Sequence, residues 1–211
     1  MLIGFWGTFG VGKTTAVGKL IANKAGYNLP DNLLVISADN ARVWEVHDGE
    51  FANSGASDED LWRGTQVAKL GLLDMMIYDR ETIYLVESAR WFSGMYEQVV
   101  ASYRAAGGGC HFVIPVTTPE VMREFLIARC AKRNKAFRED YWTYKRMAYE
   151  CNARYVNAAV KHFAPNRIPY TVFEIDAKRN NMPEVIIFMA ELARQRVAKW
   201  YGSKHVDKIQ R

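Results

Sequence analysis

The chain has 211 residues, of which 49% are hydrophobic and 24% charged, and its formal net charge is +5. These values are typical of a soluble globular protein, and the length predicts a single α/β domain over residues 1–211. No apolar run approaches the roughly 20 residues of a membrane-spanning helix, and a strand-like run begins directly after Met1, so we expect neither membrane segment nor signal peptide. The three cysteines are odd in number and lack CxxC spacing, which predicts free thiols in a reducing cytoplasm.

Residues 7–14 read Gly-Thr-Phe-Gly-Val-Gly-Lys-Thr, with two glycines separated by four residues and followed by a lysine and a hydroxyl residue. An apolar run precedes this motif and helical periodicity follows it. That order predicts a nucleoside triphosphate-binding loop, in which backbone amides surround an anion at a helix N-terminus. Lys13 would reach the terminal phosphates, and the Thr14 hydroxyl would ligate Mg²⁺. The residues expected to contact the donor are Gly7, Gly10, Gly12, Lys13, Thr14 and Thr15.

Short apolar runs alternate with helical patterns along the rest of the chain. Strands are predicted at 2–6, 33–37, 82–86, 111–116 and 170–175. Helices are predicted from 14 to about 24, at 59–78, at 94–105, from 119 towards 129–133, at 139–163 and at 184–200. This alternation predicts a parallel sheet with right-handed crossovers.

With the phosphate loop after the first of five strands, the layout resembles that of P-loop kinases. The resemblance implies a three-layer α/β sandwich with a five-stranded parallel sheet in the order 2-3-1-4-5. It also implies an arginine-rich lid inserted at about residues 129–140.

Asp39 and Arg42 follow the second strand, at the edge of the sheet where ligands bind in doubly wound folds. A carboxylate there could accept the proton of an attacking hydroxyl, and an arginine three residues later could hold a phosphate. The pair resembles the aspartate and arginine of polynucleotide-kinase-like proteins, which implies that Asp39 is the general base. The alternative is that Asp39 caps a turn and Arg42 is a surface charge.

Three arginines, Arg129, Arg133 and Arg138, lie together with two lysines in the connector after the predicted 119 helix. Guanidinium groups stabilise the charge on a phosphoryl group in transfer. The segment resembles the lid of P-loop kinases, which implies that these arginines close over the donor phosphates. A basic helix end that complements the helix dipole is the alternative.

The candidates for the acceptor side are weaker. Glu87 ends the third strand, and it could orient magnesium-bound water or contact the acceptor; a structural hydrogen bond to the phosphate loop is equally expected. Arg90 and Arg63 are possible acceptor contacts. One or two tyrosine or tryptophan side chains could stack on a base. The four histidines show no metal-ligand spacing, and His111, inside a strand, is expected to be structural.

Charge is unevenly distributed, because residues 31–90 carry 5 Lys/Arg and 12 Asp/Glu, whereas residues 123–179 carry 13 and 6. A basic second half suggests contact with phosphates. The resemblance to polynucleotide-kinase-like proteins, together with this charge, implies an ATP- and Mg²⁺-dependent kinase that acts in the cytoplasm on a hydroxyl of nucleic acid. That hydroxyl would be a 5′ end or a hydroxymethylated base, as in the phage DNA kinases that the chain also resembles. A kinase of a free nucleoside or nucleoside monophosphate is the first alternative, and a non-catalytic, nucleotide-dependent DNA-binding protein is the second.

Overall fold

The computed structural model describes residues 1–7, 10–37, 81–88, 104–105, 107–132, 134–140, 156–157, 159–175 and 181–209. The helix predicted at 59–78 lies outside these ranges, as does most of those at 94–105 and 139–163. The strands are β1 (Leu2–Trp6), β2 (Leu33–Ser37), β3 (Ile83–Ser88), β4 (Cys110–Thr117) and β5 (Tyr170–Ile175). The helices are α1 (Lys13–Ala22), α2 (Pro119–Lys132) and α3 (Met182–Ile209), with a π-helical segment at Ala159–Phe163.

The five strands form one parallel sheet in the order β2-β3-β1-β4-β5, which confirms the predicted order. All five residues of β1 are buried, because this strand lies at the centre of the sheet with layers packed on both faces. A strand buried on both faces reads as a continuous apolar run, and for this reason β1 could be predicted from its sequence.

Alternate residues of the strands supply two separate cores. On one face, Leu2 and Trp6 of β1 pack with the π-helical segment, whose Phe163 ring stacks on Phe112 at a centroid distance of 4.2 Å. On the other face, Ile3 and Phe5 pack against apolar residues of α1 and α3. The architecture is therefore the predicted three-layer sandwich. Among the described residues, no helix is long and apolar enough to span a membrane.

The bounds of β1, β2 and β5 match the prediction, whereas those of β3, β4, α1 and α3 differ from it. Helix α1 ends at Ala22 and not near residue 24, and α3 runs well beyond the predicted end at residue 200. Strand β3 continues to Ser88, because Glu87 and Ser88 pair with Phe5 and Trp6 of β1. Backbone pairing thus extends the strand through two polar residues that the hydrophobic pattern leaves out.

Gly4 of β1 lies directly beneath the ring of its register partner Phe112. A Cβ atom on Gly4 would stand 2.3 Å from Cδ1 of Phe112, so Gly4→Ala must displace a ring that is stacked in the core. We expect a loss of roughly 1–3 kcal/mol in the free energy of unfolding, measured by urea denaturation. Gly18→Ala is the matched control: a Cβ added to this residue of α1 would have no neighbour within 4 Å, and alanine there should stabilise the helix by roughly 0.5–1 kcal/mol. Equal stability of the two variants would contradict this account of the Gly4 contact.

His111 is a structural histidine of β4, partly buried beneath α3. Its Nε2 lies 2.9 Å from Oγ1 of Thr171, and its ring meets the edge of Phe188 at 5.5 Å. Burial lowers the pKa of His111 below 6.5, because the charged form loses hydration. The unfolded chain therefore binds this proton more readily, and the contribution of His111 to stability is present above pH 6.5 and is lost as the pH falls below it. The free energy of unfolding, measured with urea at about pH 7.5 and about pH 5.5, should decrease less on acidification in His111→Gln than in the wild type. Equal decreases would contradict this assignment.

Candidate active site

The candidate site lies where β1 ends and the chain turns into α1. Two glycines of this loop have left-handed backbone angles, with φ of 80° at Gly10 and 82° at Gly12, and Gly12 is the N-cap residue of α1. Residues with a Cβ rarely adopt these angles, so the glycines permit the tight turn, and turns of this kind can form an anion-binding concavity of backbone N–H groups. Of the predicted donor contacts, Gly7, Gly10, Gly12, Lys13, Thr14 and Thr15 all lie here; residues 8 and 9 are outside the described ranges.

Lys13 is 4% exposed, which is unusual for a lysine. Its Nζ donates a hydrogen bond to the carbonyl oxygen of Gly7, 2.8 Å away, so the side chain folds back over the loop. Gly7 is itself fixed against β4, since a Cβ there would stand 2.7 Å from the carbonyl oxygen of Pro115. The ammonium group is thus held within the loop, where an electrostatic interaction is stronger than in water.

The carboxylate of Glu87 lies opposite the first turn of α1. Glu87 is 5% exposed, and its Oε1 accepts a hydrogen bond from Oγ1 of Thr14 at 3.2 Å. The bond follows from the topology, because β3 pairs with β1 and places Glu87 beside Phe5, two residues before the loop. The structural hydrogen bond to the phosphate loop that the sequence left open is therefore present.

The Thr14–Glu87 pair also fits a magnesium ion. Mg²⁺ prefers hydroxyl, carboxylate and water oxygens, and the pair supplies the first two. Because the hydroxyl proton of Thr14 points to Glu87, lone pairs on Oγ1 are available to a cation. These residues could hold the metal of a nucleotide complex directly or through its water. No cluster of three or more metal-ligating side chains is present among the described residues.

Two helices press on the loop from outside. A Cβ on Gly10 would stand 3.2 Å from Cγ of Met122 and 3.7 Å from Cδ2 of Leu126, both on α2. One on Gly12 would stand 3.0 Å from Cε of Met182, the first residue of α3. A Cβ at either glycine would be crowded by these methionine side chains, so packing and backbone angle favour the same residue type.

Helix α2 begins as the sequence predicts. Thr118 caps it, since its Oγ1 accepts a hydrogen bond from the backbone N–H of Val121 at 3.3 Å, and Pro119 is its first residue. This start places the second turn of α2, with Met122, on the phosphate loop.

The predicted lid arginines have different surroundings. Arg129 is exposed in the last turns of α2. Arg138 is exposed and forms a two-pronged ion pair with Asp140, with 3.0 Å between Nε and Oδ1; this pair raises its pKa. Arg133 lies outside the described residues, as do Asp39, Arg42, Arg63 and Arg90.

Sequence reasoning missed Arg123 of α2, which contacts two residues of the connector after the helix. Its Nη2 lies 2.5 Å from Oε1 of Glu139, and its guanidinium carbon lies 5.2 Å from the centre of the Phe137 ring. Partners 14 and 16 residues away follow no helical spacing, so no local pattern could have indicated them.

No protein-family model and no curated protein matches this sequence. Similar solved structures include a proposed kinase of Chloroflexus aurantiacus, with 15% identity, coverage of 90% of this chain and 96% of that one, and a TM-score of 0.56. A structure from the PezAT toxin–antitoxin system of Streptococcus pneumoniae has 14% identity, coverage of 94% and 86%, and a TM-score of 0.53. Kti12 of Chaetomium thermophilum, in complex with ADP-AlF3, has 18% identity, coverage of 90% and 98%, and a TM-score of 0.50.

These similarities concern the fold, because the identities are low. Together with the strand order and the loop after β1, they define the class: the chain has the α/β fold of P-loop kinases. A shared fold does not fix an activity, so the function of this chain rests on the residues of its own site.

Proposed function

We propose that this protein is an ATP-dependent kinase that transfers the γ-phosphoryl group to a hydroxyl of a nucleic acid. The observation that carries the kinase proposal is the pair of contacts around the loop: Lys13 buried against Gly7, and Thr14 bonded to the buried Glu87. A buried ammonium beside a hydroxyl–carboxylate pair is suited to a magnesium-bound polyphosphate. The ADP-AlF3 complex of Kti12, which shares the fold, supports a nucleotide ligand at this loop.

In this proposal the loop amides and Lys13 bind the donor phosphates. On nucleotide binding, Nζ of Lys13 would exchange the Gly7 carbonyl for a phosphate oxygen, a stronger charge-assisted bond. Thr14 and Glu87 would hold Mg²⁺ or its water; when bound, the ion neutralises phosphate charge. The lid arginines, Arg129 and Arg133 as well as Arg138, would stabilise the charge on the transferred group.

The acceptor side of the proposal rests on residues 39–90. Asp39 would accept the proton of the attacking hydroxyl, and Arg42 would hold a phosphate near it. Ser37, two residues before Asp39, pairs with Glu87 in the sheet, which supports a location for Asp39 on the same edge as the phosphate loop. Arg63 and Arg90 are the further proposed acceptor contacts.

A nucleic-acid acceptor is favoured over a free nucleotide by the excess of positive charge in residues 123–179. The acceptor hydroxyl would be a 5′ end or a hydroxymethylated base. A small nucleoside or nucleoside monophosphate is the second candidate, because an arginine-rich pocket would also suit it.

The direct test is transfer of labelled γ-phosphate from ATP to parallel acceptors: free nucleosides, nucleoside monophosphates, 5′-hydroxyl oligonucleotides, and duplex DNA with and without hydroxymethyluracil. Label in polymer is the expected result, and digestion to nucleosides distinguishes a labelled base from a labelled 5′ end. Label only in small molecules would contradict the nucleic-acid acceptor and favour the second candidate, a nucleoside or nucleoside monophosphate. ATP-dependent DNA binding without any transfer would favour the non-catalytic alternative.

A further inference from the structure

One side chain of α2 holds the connector that follows this helix. Arg123 contacts both neighbours of Arg138, through the 2.5 Å ion pair with Glu139 and through the Phe137 ring. Phe137 is partly buried, whereas Ala136 and Arg138 are exposed. A single guanidinium group, whose side chain is 42% exposed, therefore contacts the chain on both sides of a predicted lid arginine.

The end of α2 directs the connector back towards Arg123. Asn134 has a φ of 52°, its N–H bonds to the carbonyl of Ala131 at 3.0 Å, and the N–H of Lys135 bonds to the carbonyl of Cys130 at 2.9 Å. This pair of bonds with a left-handed residue is a Schellman motif, which ends a helix and reverses the chain.

The reversal runs the connector back along α2. Phe137 reaches Arg123, which lies about 13 Å before the end of α2 at about 1.5 Å per residue. The residue before Arg123 is Met122, whose Cγ would stand 3.2 Å from a Cβ on Gly10. Arg138 is thus carried by a segment that contacts α2 at the residue after Met122, which packs beside the loop.

We infer that Arg123 is a positioning residue for phosphoryl transfer: it fixes residues 134–140 against α2 and so sets where Arg138 is presented to the donor phosphates. The inference rests on the proposed function, since it requires that Arg138 contacts a phosphate. Arg138 bonds to Asp140 in the structure, and a donor triphosphate would take the place of that carboxylate. With the backbone already held by Arg123, only the Arg138 side chain has to move, which lowers the entropy cost of ordering.

The test compares Arg123→Ala, Arg123→Lys and Glu139→Gln, with Glu124→Gln, an exposed neighbour on α2, as the matched control. We expect Arg123→Ala to lower kcat about tenfold and to weaken binding of a magnesium-bound, non-hydrolysable ATP analogue about fivefold. Arg123→Lys keeps the charge that faces Glu139 but loses the planar group over Phe137, so it should recover part of the loss. Glu139→Gln should change both quantities in the same direction as Arg123→Ala, and Glu124→Gln should leave both unchanged.

A double variant separates positioning from a merely structural role. If Arg123 acts through Arg138, Arg123→Ala combined with Arg138→Ala should be no worse than Arg138→Ala alone. Effects that multiply, or an Arg123→Ala protein with wild-type kinetics, would overturn the inference. Should Arg123→Ala fail to fold in a thermal melt, Arg123→Lys and Glu139→Gln carry the same comparison.

Failure of the proposed function gives a different result. Analogue binding that is insensitive to Lys13→Ala would refute the nucleotide site itself. Analogue binding that is lost in Lys13→Ala but unaffected by Arg123→Ala and Glu139→Gln would refute only the role of Arg123.

Discussion

Lys13→Ala is expected to reduce phosphoryl transfer by a factor of roughly 10³ or more, to the limit of detection. Among the described residues Lys13 is the only buried lysine, and its removal would leave the donor phosphates of the proposed mechanism without this countercharge. The fold should persist, because Lys13 is one contact at the start of α1 and the two cores are untouched. Transfer of labelled phosphate measures the loss, and circular dichroism with a thermal melt measures the fold.

Lys19→Ala is the matched control for this experiment. Lys19 lies further along α1 and is exposed, so its replacement removes the same charge from the same helix without reaching the loop. Activity close to that of the wild type is expected. Full activity of the Lys13 variant would rule out the phosphate-loop mechanism. Equal losses of activity in the two variants would mean that the loss comes from the change in net charge and not from a specific contact of Lys13.

Asp39→Asn is expected to reduce turnover by roughly 10² or more with little change in the affinity for ATP, because an amide cannot accept the proton of the attacking hydroxyl. The substitution preserves side-chain volume and replaces the carboxylate by a neutral amide. Initial rates across ATP concentrations separate kcat from KM, and a rate profile with pH should lose its acidic limb in the variant.

Asp31→Asn provides the comparison for Asp39. Asp31 lies in the exposed turn before β2 and pairs with Lys24 at 3.3 Å. Its replacement removes an acidic group before the start of β2, whereas Asp39 follows the end of that strand in the sequence. We expect unchanged turnover. A turnover in Asp39→Asn similar to that of Asp31→Asn would assign Asp39 a structural role, as the cap of a turn.

The part of the fold that could be predicted from sequence is the part that local patterns encode. All five strands are apolar runs, and the loop glycines occur at the spacing that the loop geometry demands. The Thr118 cap and Pro119 mark the start of α2 by local backbone chemistry alone. The strand order is a different case, because it came from the resemblance to P-loop kinases and the structure confirms it.

The site could be predicted only as far as its motif extends. The Thr14–Glu87 bond joins residues 73 positions apart, and it exists because β3 lies beside β1. Arg123 was not recognised, since its contacts depend on the chain reversal at Asn134. The roles of Asp39, Arg42, Arg63, Arg90 and Arg133 remain predictions, because these residues lie outside the described ranges.

The contacts around the loop also bear on when nucleotide binding can arise during synthesis. The loop is complete in sequence by residue 14, yet its surroundings come from far along the chain: Pro115, Met122 and Met182 lie where they would crowd a Cβ added at Gly7, Gly10 and Gly12. The central strand likewise finds its two neighbours only after residues 83 and 110 have been made. Such large sequence separations slow folding, because long stretches of chain must close before any contact forms. A nascent chain that ends before α3 would carry the whole phosphate-binding motif without the scaffold that shapes it, so we expect nucleotide affinity to appear only after α3 has been made.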